Sequence, residues 1–370
     1  MPEKKYDINP WEVKGDIDYD KLIKEFGIVP LKELPKVFTE NVLFRRKFVF
    51  AARDIGKIML NLRDEKPFCV MTGLMPTGKF HIGHALVLRQ VLFYQKLGAK
   101  VYIAVADIEA YHARGQSLED SRKIAIEEYL ANYVAMGLDP DKTEIYFQSN
   151  RSEDAEKANA YYRLQNLLAR HGTFNEFKAV YGEISPGKML AALLQAADMY
   201  HPQLKEFEGK PIPTIIPVGV DQDPHIRLAR GLARRYNNKL VPIASSYHFF
   251  LPGLKGGKMS SSDPNSFIAF TDTPAQVKNK INKYAFSGGQ KTLEEHKKKG
   301  GNPDIDVSFQ YLRLFEEDDK KLEEMYNNYK SGDLLTGDLK KYTIEKINTY
   351  LKPIQKKYPE SLKKVKKIFS

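Results

Sequence analysis

The stretch Phe68-Cys-Val-Met-Thr-Gly73-Leu-Met-Pro-Thr-Gly78-Lys-Phe-His81-Ile-Gly-His84 opens on apolar residues, turns through Pro76 and Gly78, and leads into a helical pattern over roughly residues 83–97. A short apolar run followed by a turn and a longer periodic segment is the βα unit of a parallel sheet. The same unit recurs on both sides. Val101–Ala106 and Ile145–Phe147 are further apolar runs, with a helical pattern at about 118–137 between them. Residues 153–170 and 187–200 read as helices. Thr214–Val220 is apolar and β-branched, a helical stretch comes next at 222–235, and another strand is expected near 266–270. Strands alternating with helices predict an α/β fold around a parallel sheet. From about residue 273 strand signals fade and charged helical patterns take over. The reading therefore has three parts: an N-terminal extension over 1–66, the sheet domain over 67–270 and a helical domain over 271–370.

Composition narrows the function classes. The 370 residues carry 58 Lys+Arg against 47 Asp+Glu, a net charge of +11. With 42% hydrophobic and 28% charged residues the chain is an ordinary globular mixture, which excludes global disorder. Cys69 is the single cysteine, so an internal disulfide, a cysteine zinc site and an iron–sulfur cluster are all excluded. No protein-bound structural metal is expected, and a reducing, cytoplasmic setting is. Residues 1–20 carry charge from the start with no apolar core for a secretory signal, and no apolar run approaches the ~18 residues of a membrane span. Residues 337–370 hold ten Lys against Asp338, Glu345 and Glu360. Such an excess suits a polyanion such as nucleic acid, although lysine-rich helix faces are often just solvated.

Two segments carry chemistry. Gly73 to Lys79 has the first seven positions of a phosphate-binding loop, but Phe80 stands where a magnesium-ligating hydroxyl belongs. No Gly-x-Gly-x-x-Gly dinucleotide fingerprint comes after a strand. The next four residues are more specific. His81-Ile-Gly-His84 sits at a helix start, where exposed N–H groups and the positive dipole end favour phosphate. Imidazole N–H groups add donors there, and Gly83 leaves room for a flat base. A metal site fits less well, because the Glu of a His-Glu-x-x-His pair is missing. The second segment is Gly253-Leu-Lys-Gly-Gly-Lys258-Met259-Ser260-Ser261-Ser262. A glycine-rich loop with a lysine and three hydroxyls can close over a polyphosphate.

Together these segments resemble the HIGH and KMSKS signatures of the class I aminoacyl-tRNA synthetases. The surrounding strings resemble the archaeal and eukaryotic tryptophanyl-tRNA synthetases. They are Val218-Gly-Val-Asp-Gln-Asp-Pro-His-Ile-Arg227, Lys258-Met-Ser-Ser-Ser-Asp-Pro-Asn265, Ala285-Phe-Ser-Gly-Gly289 and Gly300-Gly-Asn-Pro-Asp-Ile-Asp-Val-Ser-Phe309. The similarity runs from about Trp11 to the C-terminus. The resemblance implies a Rossmann-like parallel-sheet catalytic domain and an α-helical C-terminal domain that binds the anticodon. It implies L-tryptophan, ATP with Mg2+ as substrate complex, and tRNA(Trp) as ligands, and a homodimer.

The same resemblance assigns roles. Thr77, His81, His84 and Lys258 would act on the phosphates. Pro76, Gly78, Lys79, Phe80, Ile82, Gly83, Met259, Ser260, Ser261 and Ser262 would form the ATP site. Glu109, Gln195, Asp198, Gln222, Met71 and Lys188 would hold tryptophan. The family loop often has a second Lys where this chain has Ser261, so one cation is missing. Eukaryotic members have Tyr and Gln near the indole where this chain has Met71 and Ala104. Asp198 is therefore the expected main acceptor for the indole N–H. Tyrosine activation by the same fold, and a non-catalytic RNA-binding relative, are the alternatives.

Overall fold

The computed structural model describes residues 6–9, 12–15, 19–237, 239–257, 259 and 263–369. Nine strands lie among them: β1 Tyr6–Asn9, β2 Glu12–Gly15, β3 Val29–Pro30, β4 Val49–Arg53, β5 Cys69–Leu74, β6 Lys100–Val105, β7 Thr143–Phe147, β8 Thr214–Gly219 and β9 Ala244–His248. β1 and β2 form a separate antiparallel pair. The other seven make one sheet in the order β3-β4-β9-β8-β5-β6-β7. β9, β8, β5, β6 and β7 run parallel, and β4 and β3 close one edge antiparallel. The fold is α/β, with a doubly wound Rossmann-like sheet. The parallel part starts at β5, winds outward to β7, then returns across β5 to β8 and β9. The order thus reverses between β5 and β8, and in open α/β sheets ligands bind outside the strand ends at such a point.

Both faces of the sheet are apolar, so its strands read as near-continuous hydrophobic runs. Val70, Val101, Ile103, Val105 and Ile215 enter one core with helix Ile82–Lys96. Cys69, Met71, Tyr102, Ala104 and Ile216 point the other way, into a second core with helices Ala155–Ala169, Phe174–Tyr181, Pro186–Tyr200 and Asp223–Tyr236. The β5–β8 ladder is short. It pairs Cys69 with Thr214 and Val70 with Ile215. Beyond that register β8 carries Pro217, which has no N–H to donate. The carboxyl ends of the two central strands therefore stand apart, and the gap becomes the site.

Five strands escaped the sequence reading: β1, β2, β3, β4 and β9. β9 is Ala-Ser-Ser-Tyr-His, polar in composition yet buried throughout. Its polarity is absorbed internally: Ser246 Oγ donates to Gln90 Oε1 at 2.9 Å, and Gln90 Nε2 lies 3.1 Å from His248 Nδ1. β4 belongs to the segment read as an extension over 1–66, and it pairs with β9 in the main sheet. The strand expected near 266–270 is reduced to one bridge between Ala269 and His81. The Asp272 carboxylate takes the Ala269 N–H at 2.8 Å, which a ladder would have needed, and Lys280 anchors that carboxylate at 2.7 Å.

The C-terminal third is helical: Pro274–Tyr284, Leu293–Lys299, Val307–Phe315, Asp319–Ser331 and the 33-residue Thr336–Ile368. Ile347, Leu351, Ile354 and Val365 of the long helix lie in the same core as Val70 and Ile103. Its basic excess is divided. Lys346, Lys364 and Lys366 pair with Glu316, Asp141 and Glu127, whereas Lys341, Lys352, Lys356, Lys357 and Lys363 are exposed.

Candidate active site

Helix Ile82–Lys96 begins directly after the β5 turn, with His81 at its N-cap. The His81 ring caps it: Gly83 N–H donates to His81 Nδ1 at 3.1 Å, and His81 N–H donates to His84 Nδ1 at 3.4 Å. The two rings stack with centroids 3.7 Å apart. Burial pushes His81 down to about 2, with the neighbouring His84 adding to the shift, and burial pushes His84 down to about 4. Both rings are therefore neutral, and with each Nδ1 accepting, each proton sits on Nε2. The pair offers two N–H donors at the positive dipole end of the helix.

These histidines line a cavity of about 380 Å³ with Thr77, Gly83, Tyr129, Tyr133, His248, Phe250 and Met259. Gly83 keeps the space there open: a Cβ would stand 2.8 Å from the Met259 sulfur and 3.0 Å from the His81 ring, and both would have to shift. A second cavity of about 280 Å³ adjoins it. Gly73, Met75, Val87, Gly219 and Gln222 line both, so the two meet in the gap between β5 and β8. The second cavity is walled by Met71, Met199, Ile216 and Val218, with Glu109, Gln148, Gln195, Asp198 and His225 as its polar groups.

Helix Asp107–Arg114 follows β6 and brings Glu109 to this cavity. Gln195 Nε2 donates to Glu109 Oε2. Asp198, on the same helix as Gln195, is 2% exposed. Its Oδ1 accepts from Tyr146 Oη at 2.7 Å and Tyr161 Oη at 2.6 Å, and its Oδ2 accepts from Gln148 Nε2 at 2.7 Å. Burial pushes this carboxyl up to about 6, against the pull of its three donors. Gln222 is held at the start of helix Asp223–Tyr236 by its neighbour Asp223, which accepts from Arg53 at 2.8 Å, from Arg227 at 3.1 Å and from Tyr247 Oη.

Over residues 63–352 the sequence matches the family described as class I tRNA synthetases (W and Y). The chain belongs to this family. The tryptophan–tRNA ligase of Methanocaldococcus jannaschii is 41% identical over 364 residues, covering 96% of this chain and 95% of that protein. The tryptophanyl-tRNA synthetase structure from Aeropyrum pernix superposes with a TM-score of 0.88 at 40% identity, covering 95% of each chain. The Giardia lamblia tryptophanyl-tRNA synthetase gives 0.82 at 31% identity, covering 92% of this chain and 93% of that one.

Against this class I synthetase site, the residues expected from sequence divide. Thr77, His81, Gly83, His84 and Met259 line the larger cavity, and Met71, Glu109, Gln195, Asp198 and Gln222 line the smaller. Phe80 and Ile82 are fully buried. Phe80 packs among His84, Tyr129, Tyr133 and Phe270, so these two side chains support the histidines from beneath. Lys79 turns outward toward Glu128 at 3.7 Å. Pro76 is buried and its carbonyl accepts from Gln116 Nε2 at 2.8 Å. Gly78 takes a left-handed φ of 67° that makes the turn. Lys188 starts its helix, its N–H donating to Ser185 Oγ at 3.3 Å, and lines neither cavity. Lys258 and Ser260 to Ser262 lie outside the described residues.

Sequence reasoning missed Gln148, His225 and the tyrosines Tyr146, Tyr161 and Tyr181. Gln148 had a signal, since it comes directly after β7 at the carboxyl end of a parallel strand, where site residues gather. The tyrosines had none, because a buried hydroxyl and a core ring read alike in sequence.

The neutral histidines make one expectation. Their donors are unchanged from about pH 5.5 to 8, because both groups titrate well below their ordinary range. The pH profile of kcat/KM for ATP therefore shows no inflection near 6.5 from this pair. An inflection there that His84→Asn abolishes would contradict the neutral assignment.

Proposed function

We propose that this synthetase activates L-tryptophan with ATP and transfers it to tRNA(Trp), releasing AMP and pyrophosphate. The observation that carries the reading is the junction of the two cavities. An apolar-walled pocket with a carboxylate opens directly onto a pocket carrying two neutral N–H donors at a helix start.

The tryptophan carboxylate, ionised at neutral pH, attacks the α-phosphorus of ATP and needs no general base. Catalysis then rests on positioning and charge stabilisation. His81 and His84 donate from Nε2 to phosphate oxygens as charge develops, Thr77 hydrogen-bonds near the α-phosphate, and Gly83 lies beneath the adenine. Pro76, Gly78, Lys79, Phe80 and Ile82 hold the turn that sets them. Lys258, with Met259, Ser260, Ser261 and Ser262, meets the leaving pyrophosphate, and magnesium arrives on the ATP phosphates as part of the substrate. In the smaller cavity Glu109 accepts from the substrate ammonium. Gln195 orients Glu109, Gln222 contacts the amino acid, and Met71 flanks the indole. Asp198 has a lone pair left on Oδ2 for the indole N–H, while Lys188 stands further out.

The helical residues 271–370 read the anticodon, and the exposed lysines of the long helix suit tRNA phosphates, which makes tRNA affinity fall steeply with salt. The working form is a homodimer with twofold pairing as the default. Leu167 and Leu190, exposed on adjacent helices, are apolar surface that such pairing would cover. The setting is the cytoplasm. Among the described residues no helix is long and apolar enough to cross a membrane.

Amino-acid-dependent ATP–pyrophosphate exchange, run without tRNA against all twenty amino acids, tests this. Exchange with tryptophan alone is expected. Exchange with tyrosine would keep the mechanism and overturn the substrate. No exchange with any amino acid, in folded protein that binds tRNA, would make this a non-catalytic relative.

A further inference from the structure

The smaller cavity is lined by one buried histidine with no part in the reaction above, backed by a tyrosine. His225, in the first turn of helix Asp223–Tyr236, is 1% exposed and lines the cavity. Its Nδ1 is hydrogen-bonded to the hydroxyl of Tyr181, which ends helix Phe174–Tyr181. Its Nε2 is buried and has no hydrogen-bond partner among the described residues. Buried polar atoms are rarely left unpaired, and this one belongs to a residue on the wall that a ligand covers.

What Nε2 offers depends on one proton. Burial holds the imidazole neutral, pushing it down to about 3, so it carries a single N–H. Tyr181 also has a single proton to give. Burial, with the nearby Glu109 charge adding to it, raises the Tyr181 phenol, so the hydroxyl keeps its proton and its oxygen can still accept. When an N–H of a ligand meets Nε2, the tautomer that fits has Nδ1–H donating to the Tyr181 oxygen and the lone pair on Nε2. The opposite arrangement would turn a second donor toward the group that Glu109 attracts, an ammonium already rich in donors.

We infer that His225 Nε2 accepts a hydrogen bond from an N–H of bound tryptophan, with Tyr181 fixing the tautomer that makes it an acceptor. His225 is then a specificity-determining residue and Tyr181 a positioning residue. The inference rests on the proposed substrate, and it adds an acceptor to a pocket whose Asp198 already holds three donors. Tryptophan has two classes of N–H, the ammonium and the indole, and either fits the chemistry.

The test is exchange kinetics on the full-length enzyme. Failure of the wild-type protein to exchange with tryptophan would defeat the substrate reading before any variant is compared. With that established, His225→Phe is expected to raise the tryptophan KM by about tenfold to hundredfold. The ATP KM should stay within about twofold and kcat within about threefold. His225→Gln, whose amide oxygen reaches near the Nε2 position, should recover most of the loss. Tyr181→Phe should raise the tryptophan KM by a smaller factor of about three to ten.

Two analogues locate the N–H. Benzothienylalanine replaces the indole N–H by sulfur, and indole-3-propionate, measured as a competitive inhibitor, lacks the ammonium. The ratio of variant to wild-type affinity should collapse toward one for the analogue missing the relevant group. An equal loss on tryptophan and both analogues, or no loss in folded His225→Phe, overturns the inference. Should His225→Phe fail to fold, an unchanged tryptophan KM in folded Tyr181→Phe overturns it equally.

Discussion

Replacing His81 by asparagine lowers kcat for tryptophan-dependent exchange by at least about 10²-fold while the protein stays folded. Two functions of one ring are separated by this substitution. The Nδ1 edge caps the helix, accepting from Gly83 N–H, and asparagine is among the best residues for that task. The Nε2 edge donates into the nucleotide cavity, and asparagine has nothing at that reach. Loss of one preorganised donor to developing charge costs about 10²–10³ in rate. The tryptophan KM should be nearly unchanged, since the ring lines only the larger cavity. His81→Ala removes cap and donor together and should also lower stability by about 1 kcal/mol. A kcat within tenfold of wild type in folded His81→Asn, measured at saturating ATP, would remove His81 from the transition state.

Asp198→Ala should destabilise the whole protein, by about 3–5 kcal/mol. The carboxylate is the common acceptor of Tyr146, Tyr161 and Gln148, and truncation orphans three buried donors in one step. Thermal unfolding should show the midpoint falling by on the order of 5–10 °C. Sequence alone points to a different outcome, a strong rise in tryptophan KM with ATP binding near normal. Because Asp198 holds the wall together, KM and stability should move together in this variant. Asp198→Asn separates them in part. Its amide oxygen still accepts both tyrosine hydroxyls, while its NH2 replaces the acceptor offered to the indole and faces Gln148 Nε2. Stability therefore falls less than in the alanine variant, while the tryptophan KM still rises. An alanine variant as stable as wild type would mean that the tyrosine network is not what shapes the pocket.

The parallel sheet was legible because β5, β6 and β8 are buried along nearly their whole length, and β7, half-buried at the edge, still ends on the apolar Ile145-Tyr-Phe147. β9 was not, since Gln90 satisfies Ser246 and His248 and the Tyr247 hydroxyl accepts from Ser245 inside the protein, a compensation invisible without the neighbours. The expected 266–270 strand failed for a related reason, with the Asp272 side chain taking a backbone N–H that strand composition had promised to a ladder. In the site, residues with unusual local chemistry were found: two histidines at a helix start, an acid after a strand, and the Gln195 and Asp198 pair one helical turn apart. Residues whose role comes from meeting another element were missed, as with Tyr181 and His225, separated by 44 positions in sequence. Phe80, Ile82 and Lys79 illustrate the converse. A motif marks a stretch of chain, but the alternation of buried and exposed positions decides which of its side chains reach the cavity.

The long C-terminal helix does more than lie beside the catalytic sheet. Gln355 on that helix donates to the carbonyls of Phe270 and Asp272, at 2.8 and 2.9 Å. The same short segment bridges to His81 through Ala269, receives the Ile82 N–H on Ile268, and lays the Phe267 ring 4.7 Å from the His81 ring. One glutamine thus clamps the strip of backbone on which the first histidine leans. A torque applied at the far end of the 33-residue helix has a lever that can bend at Pro353 and Pro359, the two prolines on either side of Gln355. Its fulcrum is the point where the phosphate donors are aimed.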